Sequence, residues 1–211
     1  MAARIPPLAP PYDAKLQSWL DAVMRGARPL RLFTTLARDP RLFEKFASGS
    51  LLDRGHLTLR QREIVIDRTT ALCASEYEWG VHVSTFAAKA RLDADAIHSL
   101  AHGSADDACW SEEDRDLLHL CDALHRDCDV DDELWRALRT RFSEGAVLEL
   151  LLLAGFYRTV SYLTNALRLP LEEGAARFPD RRLPPIGAQR FAHSSAESSN
   201  VVGDGAGTEF P

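Results

Sequence analysis

The chain has 211 residues, of which 45% are hydrophobic and 27% are charged, so a single domain with a core of its own is expected. The formal net charge of −6 argues against a nucleic-acid-binding protein, because such proteins usually present a basic face. The N-terminus lacks the apolar run of a signal peptide. The longest apolar run, 146–157, is shorter than the ~20 residues of a membrane span. We therefore expect no nucleic-acid or membrane partner.

The four cysteines are also informative. They lie at positions 73, 109, 121 and 128, and none forms a C-x-x-C pair, so neither a zinc ribbon nor a thioredoxin-type redox pair is indicated. Cys121 and Cys128 are seven residues apart, roughly 10 Å along a helix, which is too far for a disulfide. We expect reduced thiols and a cytoplasmic location.

The predicted elements are all helices. Residues 1–11 are proline-rich and should be extended. Apolar residues then recur with helical spacing in the stretches 12–24, 29–36, 40–48, 58–73, 76–90, 94–102, 111–124, 131–138 and 144–167. No useful strand alternation occurs, so the prediction is an all-α protein of about eight helices. The helical domain should span 12–179, and the polar, glycine-rich stretch 180–211 should form a disordered or extended tail.

Several local signals fix the helix starts. Asp39 followed by Pro40 is an N-cap with proline at the first helical position. Thr58 and Gln61 have the spacing of a capping box. Ser75 and Glu78 have the same spacing, so a capping role would account for both.

Chemistry-bearing side chains are concentrated at 74–82, with the sequence Ala-Ser-Glu-Tyr-Glu-Trp-Gly-Val-His. Glu78 and His82 are four residues apart and should project from one face of a helix. Glu63 lies on the preceding predicted helix, on a face that is otherwise mostly apolar. Glu63, Glu78 and His82 are therefore the candidate catalytic residues.

These motifs resemble the carboxymuconolactone decarboxylase family, which is also called the alkyl hydroperoxidase D-like (AhpD-like) family. The resemblance covers about residues 30–178 and is carried by Arg-Glu-Ile-Val-Ile at 62–66, by Tyr-Glu-Trp-Gly-Val-His at 77–82, and by Phe-Tyr-Arg-Thr-Val and Asn-Ala within 156–166. It implies an all-helical bundle that assembles as homotrimers or homohexamers and needs no obligatory metal or cofactor.

The thiol peroxidase branch of that family combines a glutamate, a C-x-x-C pair twelve residues later, and a histidine four residues after the second cysteine. Glu63 and His82 match the glutamate and the histidine, whereas Ser75 and Glu78 stand at the cysteine positions. A serine cannot become a sulfenate, and no thiol is present there to resolve one. The sequence therefore argues against thiol peroxidase activity.

An acid–base set remains. A histidine titrates near neutrality, and a carboxylate beside it tunes its basicity. This combination suits decarboxylation with reprotonation, and equally lactone opening, enolisation or dehydration of a small carboxylated, lactone or aromatic-derived substrate. Substrate-binding residues are predicted at four positions: Tyr77, Trp79, Tyr157 and Asn165.

Structural interpretations stand beside the chemical ones. His82 could be a core histidine, and Glu63 could pair with Arg60 or Arg62. Glu63, Glu78 and His82 could instead ligate a metal. Glu149 could face the site, an interface or solvent, and the stripe of Arg158, Tyr162 and Asn165 could bind a carboxylate or form an exposed face. A peroxidase-like antioxidant protein and a non-catalytic scaffold or ligand-binding protein are the alternative functions.

Overall fold

The computed structural model describes residues 2–181. The chain divides after Pro179 into two units, and the helices given below belong to the first. In the described part there are nine α-helices and no strands: α1 Ala14–Met24, α2 Arg31–Leu36, α3 Pro40–Ser48, α4 Leu59–Leu72, α5 Glu76–Phe86, α6 Ala94–His102, α7 Glu112–Asp127, α8 Asp132–Arg141 and α9 Glu144–Leu167. The predicted all-α fold is confirmed. The predicted tail lies outside the described residues from position 182 onward.

Local capping explains where most of these helices begin. The Asp39 side chain accepts from the N–H of Leu42 at the start of α3, and Thr58 forms the predicted capping box with Gln61 at the start of α4. Such caps satisfy N–H groups that have no partner within the helix. α5 ends at Phe86, four residues before the predicted end.

Helix α4 lies at the centre of the first unit. It packs against α5, α6, α7 and α9, and each residue from 63 to 70 is buried. A helix that is surrounded in this way buries its polar side chains as well as its apolar ones. Those polar groups need partners inside the fold, because an unpaired buried polar group is costly.

Helix α9 is long and apolar enough by length and composition to cross a membrane. The apolar run 146–157 by itself is too short for a membrane span. The mean hydropathy is taken over a longer part of the helix, and it stays high even though single polar residues occur there. Of its most apolar window, 44% is buried inside the fold, where α9 packs against α4 and α5.

Residues 171–179, which we name the C-terminal strap, lie across α5. The backbone N–H of Ala176 donates to the hydroxyl of Ser84 at 2.7 Å. The Phe178 ring packs on Trp79, with ring centroids 4.9 Å apart. A Cβ added to Gly80 would overlap the Ala176 carbonyl oxygen, so the strap approaches α5 as closely as backbones allow. The strap therefore forms one wall around α5.

Candidate active site: a histidine between two glutamates

A tight turn at 73–75 brings the predicted catalytic residues together. Ala74 has a φ of 51°, and the N–H of Ser75 donates to the Thr70 carbonyl at 2.8 Å. The chain reverses at this turn, so α5 packs back along α4. A residue near the start of α4 therefore meets one late in α5. This arrangement explains how Glu63 and His82, nineteen residues apart in the chain, come into contact.

His82 lies between two carboxylates. Its Nδ1 is 2.8 Å from Glu63 Oε2, and its Nε2 is 3.5 Å from Glu78 Oε1. Arg62 Nε lies 3.4 Å from the other oxygen of Glu63, so the structural pairing considered for Glu63 is present alongside the contact with His82. Arg60 instead pairs with Asp114.

The two glutamates keep a proton on His82. Burial alone lowers the pKa of His82, because it disfavours the charged imidazolium. The hydrogen bonds to Glu63 and Glu78, together with their negative charges, outweigh burial and raise the pKa of His82 to about 10. At neutral pH His82 is therefore an imidazolium, and both of its ring N–H groups donate.

Tyr157 of α9 completes this arrangement. Its hydroxyl oxygen is 3.1 Å from His82 Nε2, and the two rings meet edge to face with centroids 5.0 Å apart. Burial, reinforced by the charges of Glu78 and Glu63, raises the pKa of Tyr157, so the hydroxyl stays neutral and accepts from the imidazolium. We refer to Glu63, Glu78, His82 and Tyr157 as the His82 group.

Comparison with known proteins supports the fold. No protein-family model and no curated protein sequence matches the chain. Solved structures do match. The debrominase Bmp8, as a cysteine-to-alanine variant in complex with 2,3,4-tribromopyrrole, is 15% identical with a TM-score of 0.69, covering 82% of this chain and 93% of Bmp8.

Two further structures are similar. An uncharacterized peroxidase-related protein from Silicibacter sp. TM1040 is 14% identical with a TM-score of 0.69, covering 84% of this chain and 98% of that one. An uncharacterized peroxidase-related protein from Ralstonia eutropha JMP134, described as an alkylhydroperoxidase AhpD core, is 16% identical with a TM-score of 0.61, covering 82% and 95%. The chain has the AhpD-like helical fold. At these identities the similarity concerns the fold, and the resemblance seen in the sequence is confirmed at that level.

Within this AhpD-like fold, Ser75 and Glu78 do not form the capping box that their spacing allows. The Ser75 side chain makes no cap hydrogen bond. Its hydroxyl lies 2.8 Å from the hydroxyl of Thr164 on α9, and the Glu78 carboxylate turns towards His82. The capping interpretation is therefore wrong for both residues, because each side chain has a partner from elsewhere in the fold.

Tyr77 and Trp79 are held by contacts with other parts of the fold. The Tyr77 hydroxyl accepts from the N–H of Leu32 at 3.1 Å and donates to the carboxylate of Glu172 in the C-terminal strap. Trp79 is buried and packs against Phe178 of the same strap. These hydrogen bonds and this ring contact are enough to explain why both side chains are held inside the fold. The substrate contacts expected of Tyr77 and Trp79 stay predictions.

Three further polar residues of α9 contact the backbone of other segments. The Asn165 amide donates to the Cys73 carbonyl at the end of α4, at 2.8 Å. Arg158 donates to the Tyr162 hydroxyl at 2.8 Å and to backbone carbonyls at the end of α7. Glu149 accepts from the N–H of His56 at 2.6 Å, so it fixes the loop before α4. The structure brings none of these side chains to His82.

The geometry does not suit the metal site considered from the sequence. Glu63 binds Nδ1 of His82, whereas Glu78 lies at Nε2, so the two carboxylates approach opposite edges of the ring. One ion could not be ligated by all three side chains in this arrangement. Among residues 2–181 no group of three or more histidine, cysteine, aspartate or glutamate side chains has a metal-binding arrangement.

Sequence reasoning missed Asp67. It follows Glu63 by one helical turn on α4, it is buried, and neither of its carboxylate oxygens has a hydrogen-bond partner within the described part of the chain. The available signal was an acid four residues after Glu63 in a helix already predicted to be core. Because residues four apart on a helix are neighbours, Asp67 lies next to Glu63 on the buried part of α4.

A single chain encloses the His82 group. Glu63 is 0% exposed, His82 4% and Glu78 6%. A cavity of about 190 Å³ lies elsewhere, between α7 and α9, and is lined by Thr69, Cys121, Leu124, His125, Cys128, Leu151, Ala154, Gly155 and Arg158. Arg158, a possible carboxylate-binding residue from the sequence, lines that cavity, whereas the catalytic candidates Glu63, Glu78 and His82 do not. A substrate would therefore reach His82 only if part of its cover moved.

Proposed function

We propose that this protein is a cofactor-free enzyme that transfers protons on a small carboxylated, lactone or aromatic-derived substrate, with decarboxylation as the favoured reaction. The proposal rests on one observation: His82 is held between Glu63 and Glu78, with the Tyr157 hydroxyl at its Nε2. Paired carboxylates around a histidine are typical of acid–base chemistry. Bmp8 was solved with a small aromatic ring, 2,3,4-tribromopyrrole, which supports the aromatic part of the substrate class.

Three of the four residues of the His82 group have a defined role in this reaction. The bond between the substrate carbon and its carboxylate breaks, CO₂ leaves, and the electron pair moves onto a conjugated carbonyl as an enolate. The enolate carbon then takes the proton from His82 Nε2, while Glu63 holds the ring through Nδ1. Tyr157 offers its hydroxyl hydrogen to the enolate oxygen, since its oxygen already accepts from His82.

The proposal is tested with Glu63→Gln and His82→Ala, each assayed for CO₂ release and product formation on a panel of carboxylated lactones. We expect kcat/KM to fall by at least about 100-fold in each, the smallest contribution usual for a proton-transfer group. Glu133→Gln is the matched control, because Glu133 is exposed on α8. Circular dichroism of every variant checks folding, and full activity in both site variants would overturn the proposal.

The enclosure of the group favours a second candidate. A group that is sealed in the fold could serve as an ionic cluster that holds α4, α5 and α9 together in a non-catalytic ligand-binding or scaffold protein. Under this candidate the wild type has no turnover on any substrate of the panel, yet Glu63→Gln still lowers the melting temperature. The two measurements together therefore separate the candidates.

Thiol peroxidase activity is not part of the proposal. Ser75 and Glu78 stand where the redox cysteines of the thiol peroxidase branch would lie. The Ser75 hydroxyl is hydrogen-bonded to the hydroxyl of Thr164. Peroxide consumption with a dithiol reductant should stay at the background rate. A rate well above background would establish the peroxidase-like alternative.

We also propose that the enzyme is a cytoplasmic homotrimer or homohexamer. Support comes from α9, where Leu148 and Leu152 are each 63% exposed and lie one helical turn apart. Large apolar side chains at such exposure on one face are typical of protein interfaces. The described cysteines are all free thiols, which suits a reducing compartment.

A further inference from the structure

The cavity between α7 and α9 is a feature of the fold that the proposed reaction does not use. Both helices pack against α4, and a space of about 190 Å³ lies between them. Its walls are residues 121, 124, 125 and 128 at the end of α7 and residues 151, 154, 155 and 158 of α9. Each set has the spacing of one helical face, so two helix faces enclose the space. Cys128 and Gly155 are exposed, and the cavity therefore opens to solvent.

The inner part of the cavity suits an apolar group. Leu124, Leu151 and Ala154 contribute aliphatic surface. The hydroxyl of Thr69, at the buried inner end, donates to the sulfur of Cys121 at 3.8 Å, so it is already used. An apolar cavity of about 150 Å³ in another protein holds benzene. A volume of about 190 Å³ therefore has room for one ring with a small substituent.

The guanidinium of Arg158 is the charged group in the cavity wall. Its Nε donates to the Tyr162 hydroxyl at 2.8 Å, and its Nη1 donates to the carbonyls of Leu124 and His125 at 3.4 Å and 3.3 Å. Among residues 2–181 no carboxylate pairs with Arg158, and its Nη2 has no acceptor. The bonds from Nη1 also cover carbonyls at the end of α7 that would otherwise repel an anion. An arginine without a counter-ion attracts a carboxylate, whose shape its planar donors fit.

We propose that this cavity is a binding site for a small apolar monocarboxylate of about the size of benzoate. The carboxylate lies on Arg158, and the apolar part lies against Leu124 and Leu151. His125 offers a further donor: burial, and then the charge of Arg158, lower the pKa of its imidazole, so the ring is neutral at neutral pH and keeps one N–H. The site does not depend on the proposed function, because Tyr157 of the His82 group and Arg158 project from different faces of α9.

The first experiment measures binding to the full-length protein. Sodium benzoate is titrated in a calorimeter, and so is benzamide, which has the same ring and no charge. We expect a dissociation constant in the millimolar range or tighter for benzoate, and binding of benzamide that is weaker by at least about 10-fold. The absence of saturable benzoate binding, or equal binding of benzamide, overturns the proposal.

Two variants locate the ligand. Arg158→Gln removes the charge and should weaken benzoate binding by at least about 10-fold. Gly155→Leu places a side chain where an added Cβ would meet no atom within 4 Å, and it should abolish binding while Arg158 stays in place. Arg126→Gln is the matched control and should bind normally, because Arg126 is exposed at the end of α7 and does not line the cavity.

Circular dichroism checks the fold of each variant. Arg158 also bonds to the end of α7, so its replacement has a structural cost. If Arg158→Gln does not fold, Gly155→Leu decides by itself. An unchanged dissociation constant in Gly155→Leu, or in a folded Arg158→Gln, overturns the proposal.

Cysteine labelling gives a second readout, since Cys128 is exposed and lines the cavity. Saturating benzoate should slow the alkylation of Cys128 by iodoacetamide several-fold. Cys109, between α6 and α7, does not line the cavity and should keep its rate, so peptide mass spectrometry follows the site and its internal control in one sample. Equal alkylation of Cys128 with and without benzoate contradicts the proposed location.

Benzoate also resembles the aromatic carboxylates of the proposed substrate class, so the two sites have to be distinguished. His82→Ala should bind benzoate with the wild-type dissociation constant. Loss of binding in His82→Ala would place the ligand at the His82 group, which overturns this inference and supports the proposed function. Wild-type binding in His82→Ala, together with no turnover of any substrate of the panel, would remove the proposed function and leave this inference standing.

Discussion

At the residue scale, the proton on His82 makes the stability of the fold depend on pH. The pKa of His82 is about 10 in the fold and about 6.5 in an unfolded chain. Between these values the folded state binds more protons than the unfolded state, so stability falls as pH rises. This contribution, on the order of a few kcal/mol, is complete below about pH 6.5 and lost above pH 10.

Chemical denaturation between pH 6 and pH 10 checks this prediction. The wild type should lose stability across that range, and Glu63→Gln should show a flatter profile, because it removes the charge at Nδ1 of His82. Glu133→Gln, on the surface of α8, should keep the wild-type slope. Equal slopes in the wild type and Glu63→Gln would contradict the assignment of the proton to His82.

Asp67 gives a second prediction at the residue scale. Its pKa in the fold is raised by burial above the value of about 3.9 expected in an unfolded chain. The folded state therefore holds its proton more tightly, and stability falls as pH rises above about 4. Asp67→Asn cannot ionise, so it should become more stable relative to the wild type as pH rises from 4 to 7, measured by thermal unfolding.

Some residue contacts could be predicted from the sequence and others could not. Glu78 and His82 are neighbours on one helix, so helical spacing places them on one face. Ser75 has a capping sequence, but its hydroxyl partner is Thr164, 89 residues away. The Tyr77 partner, Glu172, is 95 residues away. Local patterns contain no information about such partners, and only the packing of α9 and the C-terminal strap supplies it.

At the scale of elements, the contact between α5 and the C-terminal strap gives a third prediction. Gly80→Ala places a Cβ against the Ala176 carbonyl oxygen, and a backbone atom cannot turn aside as a side chain can. We expect a loss of about 1–3 kcal/mol, the usual cost of overpacking. Hydrogen exchange of residues 172–178 should also become faster, because the strap is displaced.

The matched control for this prediction is Gly155→Ala. Gly155 also lies inside a helix, and a Cβ added there would meet no atom within 4 Å. Alanine favours helix over glycine by about 1 kcal/mol, so this variant should be as stable as the wild type or more so. A Gly80→Ala variant that behaved like Gly155→Ala would show that the strap adjusts without cost.

The extent of most helices could be predicted because the signals for it are local. The Thr58 capping box at the start of α4 and the aspartate cap of α3 involve residues within one turn of each other. The apolar spacing predicts a helix that continues to Ala90, whereas α5 ends at Phe86. Hydrophobic spacing alone does not distinguish a helix from a tight turn that packs on the same core.

At the scale of the whole molecule, the exposed face of α9 gives a fourth prediction. Leu148 and Leu152 are each 63% exposed and Tyr162 is 58% exposed, and large apolar side chains grouped on one exposed face are typical of an interface, unlike single scattered ones. Leu152→Glu should therefore lower the oligomeric state in light scattering coupled to size exclusion. Trp135→Glu, an exposed apolar position on α8, is the control and should leave the mass unchanged.

The C-terminal strap has a consequence for the order in which the protein is made. A ribosome releases the chain from its N-terminus, and elements can begin to fold as they emerge. The wall over α5 is formed by residues 171–179, roughly ninety positions after α5 itself. Until those residues emerge, the Trp79 face of α5 has no cover, and a nascent chain would expose an indole that the finished protein hides. During that interval this face of α5 is open to aggregation with other exposed apolar surfaces.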